Sequence, residues 1–255
     1  MNGDSASPPP SLVTPPEIAP TADDRTDRME AVRLPCLQCT TCDLSLTRTQ
    51  VVFGEGNIRS PLVIVGEGPG EQEDATGRPF VGRSGNLLDD VLRENGILRQ
   101  HIRITNVVKC RACNVEGSRV QNRPPRVEEV EACRPWLQSE LSIVAPLVIL
   151  CLGGPSASWI IHPDFKVLRE RGQWFQTTWA AVAMATLHPA YVLRQHGKAY
   201  DDARALLVGD IGAAKEKVKE LRRGAGVQAD PVAPPAPVGA AQVAEPEVGQ
   251  GVLPL

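Results

Sequence analysis

The chain has 255 residues, a net charge of −3, 23 prolines and an aromatic content of only 4%. No apolar run approaches the ~20 residues that span a bilayer, so a membrane protein is not expected. No basic segment followed by an apolar core opens the chain, so no secretion signal is expected either.

Composition divides the chain into three parts. Residues 1–29 are rich in Pro and Asp, residues 223–255 consist mostly of Gly, Ala, Val and Pro, and both are expected to be disordered tails. Residues 30–222 are enough for one folded domain. That domain carries 24 Lys and Arg against 22 Asp and Glu, whereas both tails are acidic. A near-neutral domain permits DNA binding and does not demonstrate it.

Apolar strands alternate with helices along the predicted domain. A parallel sheet that is buried on both faces is typical of this order. The predicted strands are 62–66, 102–108, 147–153 and 179–187, and the predicted helices are 84–95, 126–145 and 200–221.

Three loops leave the carboxyl ends of these strands, where ligands bind in such sheets. They are residues 66–82, 106–125 and 188–194. The first loop reads GEGPGEQEDATGRPFVG, and its acids do not suit a phosphate. It also lacks a G-x-G-x-x-G fingerprint that opens a helix, which argues against a nucleotide-binding enzyme.

Three side chains in these loops suit a planar ligand. Phe80 lies in a Gly/Pro loop and could stack on a flat ring. Asn106 ends a strand and offers a donor and an acceptor together, and His188 follows the last strand. Each has an ordinary structural explanation alone, but together they describe a pocket for a heterocycle such as a nucleobase.

Seven cysteines occur, which is an odd number. On spacing alone, Cys39 and Cys42 with Cys110 and Cys113 would make a tetrahedral zinc site. Thiolates also hold iron–sulfur clusters, and spacing cannot separate the two. Cys151 lies inside an apolar strand and is expected to be a core residue.

Five long motifs occur in order between about residue 39 and residue 194: CTTCDLSLTRTQVVFGEGN, GEGPGEQEDATGRPFVGRSGNLLDDVL, ITNVVKC, NRPPRVEEVEACRPWL and LHPAYVLR. Together they resemble the family 4 uracil-DNA glycosylases, the iron–sulfur type. The resemblance implies a three-layer α/β/α sandwich with a central, mainly parallel four-stranded sheet, and a uracil-excising enzyme of base excision repair.

The resemblance also implies a [4Fe–4S] cluster that pins loops structurally. Its ligands map onto Cys39, Cys42, Cys110 and Cys133. Cys113 would then not be a ligand, and the cluster would replace the zinc site that spacing alone predicts. Cys36 and Cys113 depart from the usual family pattern, and the alternative is that one of them replaces a ligand.

The same resemblance assigns the base pocket. Phe80 would stack on uracil, Asn106 would pair with its edge, and His188 would donate to the carbonyl O2. Gly68 stands where related families place a catalytic Asp or Asn, so no side chain there can activate water.

Catalytic roles are implied for His188, Glu67, Glu73 and Asn122. Glu73 is ranked above Glu67 as the acid that orients water or offsets charge on the sugar. The loop between Cys110 and Asn122 is longer than the family pattern.

The segment after His188 is expected to contact DNA. An apolar side chain at Tyr191 or Leu193 could fill the space left by a flipped base, and Arg194 could meet a phosphate.

The expected partner is uracil-containing DNA, bound by a monomer in a prokaryotic cytosol, with no nucleotide cofactor. The acidic tails could contact a replication or repair protein. The alternative is a covalent or non-catalytic uracil-DNA binding protein on the same scaffold. The related covalent branch uses a His inserted near residues 110–133, and this chain has none there.

Overall fold

The computed structural model describes residues 24–117 and 119–224. Their helices are α1 (Asp24–Leu37), α2 (Leu44–Thr47), α3 (Glu71–Thr76), α4 (Arg83–Glu94), a 3-10 helix (Arg99–His101), α5 (Val127–Val144), α6 (Gly154–Ile160), α7 (Val167–Glu170), α8 (Pro189–Val192) and α9 (Lys198–Gly224). Their strands are β1 (Glu55–Gly56), β2 (Leu62–Gly66), β3 (Arg103–Asn106), β4 (Cys113–Glu116), β5 (Arg119–Asn122), β6 (Val148–Leu152) and β7 (Val182–Thr186).

The central sheet has the strand order β1-β3-β2-β6-β7. Strands β3, β2, β6 and β7 are parallel to one another, as predicted. The two-residue strand β1 adds an antiparallel edge that the sequence did not indicate. A strand of two residues carries too short a pattern to be read from sequence.

Side chains of the central strands alternate between two apolar cores. Val63 and Val65 pack with α1, α5 and α6 on one face. Ile64 packs with α4 and α9 on the other. Because both faces are covered, the strands are uniformly apolar, and the predicted three-layer α/β/α architecture is confirmed.

The N-terminal boundary differs from the sequence prediction. Helix α1 begins at Asp24, so residues 24–29 are helical and are not part of a disordered tail. Met29 and Cys36 are the buried residues of this helix, which is too little apolar surface to give a helical pattern in the sequence. At the other end, α9 extends through Gly224. The remainder of both predicted tails lies outside the described residues.

The second predicted loop contains regular structure. Strands β4 and β5 form a separate antiparallel hairpin within residues 106–125. Among the described helices, none is both long and apolar enough to cross a bilayer.

Candidate functional site

The carboxyl ends of β2 and β3 and the loop after β7 enclose a cavity of about 390 Å³, called here the main cavity. Loops at this edge of a parallel sheet are the usual place for a ligand. The main cavity is lined by every residue that the sequence assigns to catalysis or base binding: Glu67, Gly68, Glu73, Phe80, Asn106, Asn122 and His188.

Phe80 is held in a backbone conformation that side chains rarely adopt. Its φ is 51°, and its carbonyl accepts a hydrogen bond of 3.2 Å from Arg99 Nη1. A side chain at Gly85 would collide with the Phe80 carbonyl, so the turn requires a glycine within α4. Strained residues that are fixed from several sides often occur at functional sites. The sequence reasoning missed both Arg99 and Gly85, although a glycine inside a helical pattern was a readable signal.

Asn106 lies at the floor of the main cavity and is 1% exposed. Its Oδ1 is buried and has no hydrogen-bond partner among the described residues. A Cβ at Gly66 would collide with Asn106 Oδ1 and lie 2.5 Å from Phe80 Cζ. Only glycine at position 66 therefore allows the amide and the ring to approach one another. A buried acceptor without a partner is costly, and a ligand N–H would satisfy it.

His188 is the N-cap of α8, and its Nδ1 accepts a hydrogen bond of 3.0 Å from Ala190 N. Burial and the positive charge of Arg194 lower the pKa of His188 to about 4, against a smaller opposing effect of Glu73. The ring is therefore neutral near pH 7, with Nδ1 as the acceptor and the proton on Nε2. The ring centroids of His188 and Phe80 are 5.8 Å apart.

The two candidate acids differ in their surroundings. Both oxygens of Glu73 are occupied, because Oε1 accepts from Val81 N and Gly82 N at 2.9 and 3.0 Å, and Oε2 accepts from Gly70 N at 3.0 Å. Burial raises the pKa of Glu67, and no hydrogen bond to its carboxylate is observed from the described residues. The Glu73 carboxylate is therefore already hydrogen-bonded by the described residues, whereas the Glu67 carboxylate is not.

The longer loop does not displace Asn122. The extra residues form the β4–β5 hairpin, whose register pairs Cys113 with Asn122 and returns the chain to the cavity. Asn122 Oδ1 accepts a hydrogen bond of 2.7 Å from Arg111 Nε. A Cβ at Gly68 would lie 2.7 Å from Val108 Cγ2, so a larger residue there would require Val108 to move.

The residues predicted to contact DNA lie beside the cavity and not in its wall. Tyr191 and Leu193 pack partly against the apolar core, and Arg194 is exposed. The positive charge of Arg194 is close enough to His188, which lines the cavity, to lower the pKa of that imidazole.

Five cysteines line a second cavity, called here the cysteine cavity: Cys36, Cys39, Cys42, Cys110 and Cys133. Cys113 is not among them, so the zinc arrangement based on spacing is not formed by these residues. Cys151 is fully buried in β6, as expected of a core residue. Within residues 24–117 and 119–224, no three Cys, His, Asp or Glu side chains are grouped so that they could hold a single metal ion.

Two cations accompany these thiols. Arg48 Nη1 donates to Cys110 Sγ at 3.2 Å, and Lys109 also lines the cysteine cavity. Burial raises the pKa of Cys36 to about 12 and that of Cys133 to about 11, against a smaller opposing effect of Lys109. Thiols with pKa values raised in this way lose their protons readily only when a metal cation binds the sulfur.

These features define an α/β domain with a ligand cavity at the carboxyl edge of a parallel sheet. The model of the uracil DNA glycosylase superfamily matches residues 53–211. A type-4 uracil-DNA glycosylase of Thermotoga maritima is 41% identical over 197 residues, which cover 77% of this chain and 97% of that protein. Those of Archaeoglobus fulgidus and Pyrobaculum aerophilum are 40% and 41% identical over 164 residues, covering 62% of this chain and 79% and 80% of those proteins.

The chain belongs to the type-4 family of the uracil-DNA glycosylase superfamily.

The environment of His188 predicts its titration. In the free protein, its resonances in a histidine NMR titration should have a midpoint of about 4, below the ordinary 6.5. Because the charge of Arg194 disfavours the imidazolium, Arg194→Gln should move the midpoint upward. Lys219→Gln, on the far end of α9, should not move it. A midpoint near 6.5, or a midpoint that does not change in Arg194→Gln, would contradict the neutral His188 described above.

Proposed function

We propose that this chain is a DNA glycosylase that flips uracil out of DNA and hydrolyses its N-glycosidic bond, leaving an abasic site in base excision repair. The buried, unpartnered Oδ1 of Asn106 beneath Phe80 is the observation that carries the proposal. In the reaction, the bond between uracil N1 and C1′ breaks. The oxygen of water then bonds to C1′, and a proton from that water ends on uracil.

Asn106 would select uracil by its hydrogen-bonding edge. Its Oδ1 accepts from N3–H of the base, and its Nδ2 donates to O4. Cytosine presents the reverse pattern and would leave buried polar groups unpaired, which a site of this kind rejects strongly. Phe80 would supply the stacking surface for the ring.

His188 would stabilise the departing base. Its Nε2–H donates to the carbonyl O2, where negative charge develops as the bond breaks. Because Nδ1 is engaged with Ala190 N, the ring is already oriented before the base arrives.

Glu67 is the better candidate for the acid that orients water or offsets sugar charge. Its carboxylate faces the main cavity, and burial raises its pKa, which makes it a better base once ionised. Glu73, fixed by three backbone N–H groups, would serve as a rigid wall of the pocket. Asn122 also lines the cavity and would help to hold water there.

Among the described residues that line the main cavity there is no lysine, which favours a monofunctional enzyme. A glycosylase that also cleaves the strand needs an amine nucleophile to form a Schiff base with the sugar. The side chains proposed here line a single cavity of one chain, and we propose a monomer as the working unit. A prokaryotic cytosol is the compartment in which we propose that it acts.

A test of the function uses a single-stranded oligonucleotide with one uracil. The purified protein should release uracil and leave an alkali-labile site, and should leave cytosine and thymine in place. His188→Ala should lower kcat by roughly 10²–10³-fold, because one charge-stabilising donor is lost. Asn106→Ala should reduce the preference for uracil over cytosine.

His196→Ala is the matched control, since His196 is exposed and lies outside the main cavity. If the unaltered protein did not release uracil, the proposed activity would be wrong. If His188→Ala and Asn106→Ala both had unaltered kinetics, the site assignment would be wrong instead. A complex with uracil-DNA that survives denaturation would favour the covalent alternative.

We further propose that Cys39, Cys42, Cys110 and Cys133 hold a [4Fe–4S] cluster. One zinc ion needs four thiolates about 2.3 Å from a single centre, whereas a cluster spreads its ligands over several iron atoms. The cysteine cavity brings all four proposed ligands to the lining of one space, which supports a cluster there. When bound, the cluster would act as a structural cross-link between the N-terminal segment, the end of β3 and α5.

Iron analysis tests the ligand set. The purified protein should contain about four iron atoms per chain, with broad visible absorption from thiolate-to-iron charge transfer. Cys133→Ser should lose most of the iron and lower the melting temperature. Cys113→Ser is the matched control and should retain both, because Cys113 lies outside the cysteine cavity. A colourless protein with one zinc, or iron loss in Cys113→Ser, would contradict the assignment.

A further inference from the structure

The β4–β5 hairpin presents an apolar pair to solvent. Its register places Val115 opposite Val120, and these side chains are 53% and 47% exposed. Directly opposed β-branched residues form one continuous surface, because their Cβ atoms lie only about 5 Å apart. Two such residues side by side at a hairpin end are an unpartnered apolar surface.

The valine pair lies on the same face of the hairpin as a residue of the main cavity. Side chains alternate along a strand, so Val120 and Asn122 point to one side, with Val115 and Cys113 opposite them. Asn122 lines the main cavity, and Val120 is two residues away, roughly 7 Å along the strand. The apolar surface is therefore a direct outward continuation of the cavity wall.

The opposite face of the hairpin is polar. It carries Asn114 opposite Gln121, and Glu116 opposite Arg119. The apolar character is confined to the side that continues into the cavity. This asymmetry also provides a matched control within the same hairpin.

Charge at the cavity mouth indicates what covers the valine pair. Arg83 lines the cavity and Arg194 follows α8, and both are exposed. Neither side chain has an ion-pair partner among the described residues. Exposed cations beside the cavity suit a phosphate backbone, and an exposed apolar pair on the same face of the hairpin as Asn122 suits the sugar and base of a nucleotide.

We propose that Val115 and Val120 form a DNA-contacting surface that packs against the nucleotide next to the flipped uridine. This inference rests on the proposed function, which places a DNA strand across the cavity mouth. A protein partner is the less favoured occupant, because the surface is continuous with the substrate cavity. The contact is made before and during bond cleavage, so it contributes mainly to substrate binding.

The test compares two double variants of the hairpin. Val115→Ser/Val120→Ser should raise KM for a uracil oligonucleotide roughly 10-fold and leave kcat nearly unchanged, because uniform binding is lost. Asn114→Ala/Gln121→Ala, on the polar face, should leave both values near those of the unaltered protein. Melting curves should be alike for all three proteins, because the valines are exposed.

A second substrate separates a nucleotide contact from a general effect. In it, the nucleotides on both sides of the uracil carry stable abasic analogues in place of bases. On this substrate the two hairpin variants should differ little, because the base that the valines contact is absent. An unaltered KM in the valine variant, or an equal loss on both substrates, would overturn the proposal. If the unaltered protein released uracil from neither substrate, the proposed function would be overturned instead.

Discussion

A fully buried ionic network fixes the segment on which both cavities depend. The Glu140 carboxylate accepts from Arg103 Nε at 2.8 Å, from Thr105 Oγ1 at 2.8 Å and from Lys109 Nζ at 2.6 Å. Burial alone would raise the pKa of Glu140, but the charges of Lys109 and Arg103 outweigh it and lower the pKa. A side chain at Gly54 would lie 2.7 Å from Glu140 Oε1, so the network also requires glycine there. Removing one partner of such a network typically costs about 3–5 kcal/mol, because the remaining charges stay buried.

This network joins the base pocket to the cysteine cavity. Asn106 lies between two of its members, and Cys110 follows Lys109 directly. Helix α5 carries both Glu140 and Cys133, and Lys109 N donates to Cys133 Sγ at 3.2 Å. A cross-link among the cysteines would therefore stabilise the same backbone that holds the Asn106 amide. The rigid core then fixes the orientation of that amide. Its buried acceptor can therefore stay in position without a hydrogen-bond partner from the protein.

Much of this arrangement could be predicted from the sequence. Uniformly apolar strands separated by helices indicated the parallel sheet, and the loop motifs placed Phe80, Asn106 and His188 at one edge. The Glu140 network escaped prediction because Glu140 is more than 30 residues from each of its partners and only tertiary packing brings them together. The order of Glu67 and Glu73 also depended on tertiary structure, since backbone N–H groups from another turn occupy Glu73. The sequence could place both acids in the loop, but it could not show which carboxylate was already engaged.

We propose that the unpartnered Asn106 Oδ1 accepts a hydrogen bond from the N3–H of uracil. The most direct test is inhibition of uracil release by two free bases, uracil and 3-methyluracil. The second differs by a methyl group that removes this one donor. Uracil should inhibit competitively, and 3-methyluracil at the same concentration should not, because it leaves the acceptor buried and unpaired. Equal inhibition by the two bases would contradict this role of Asn106 Oδ1.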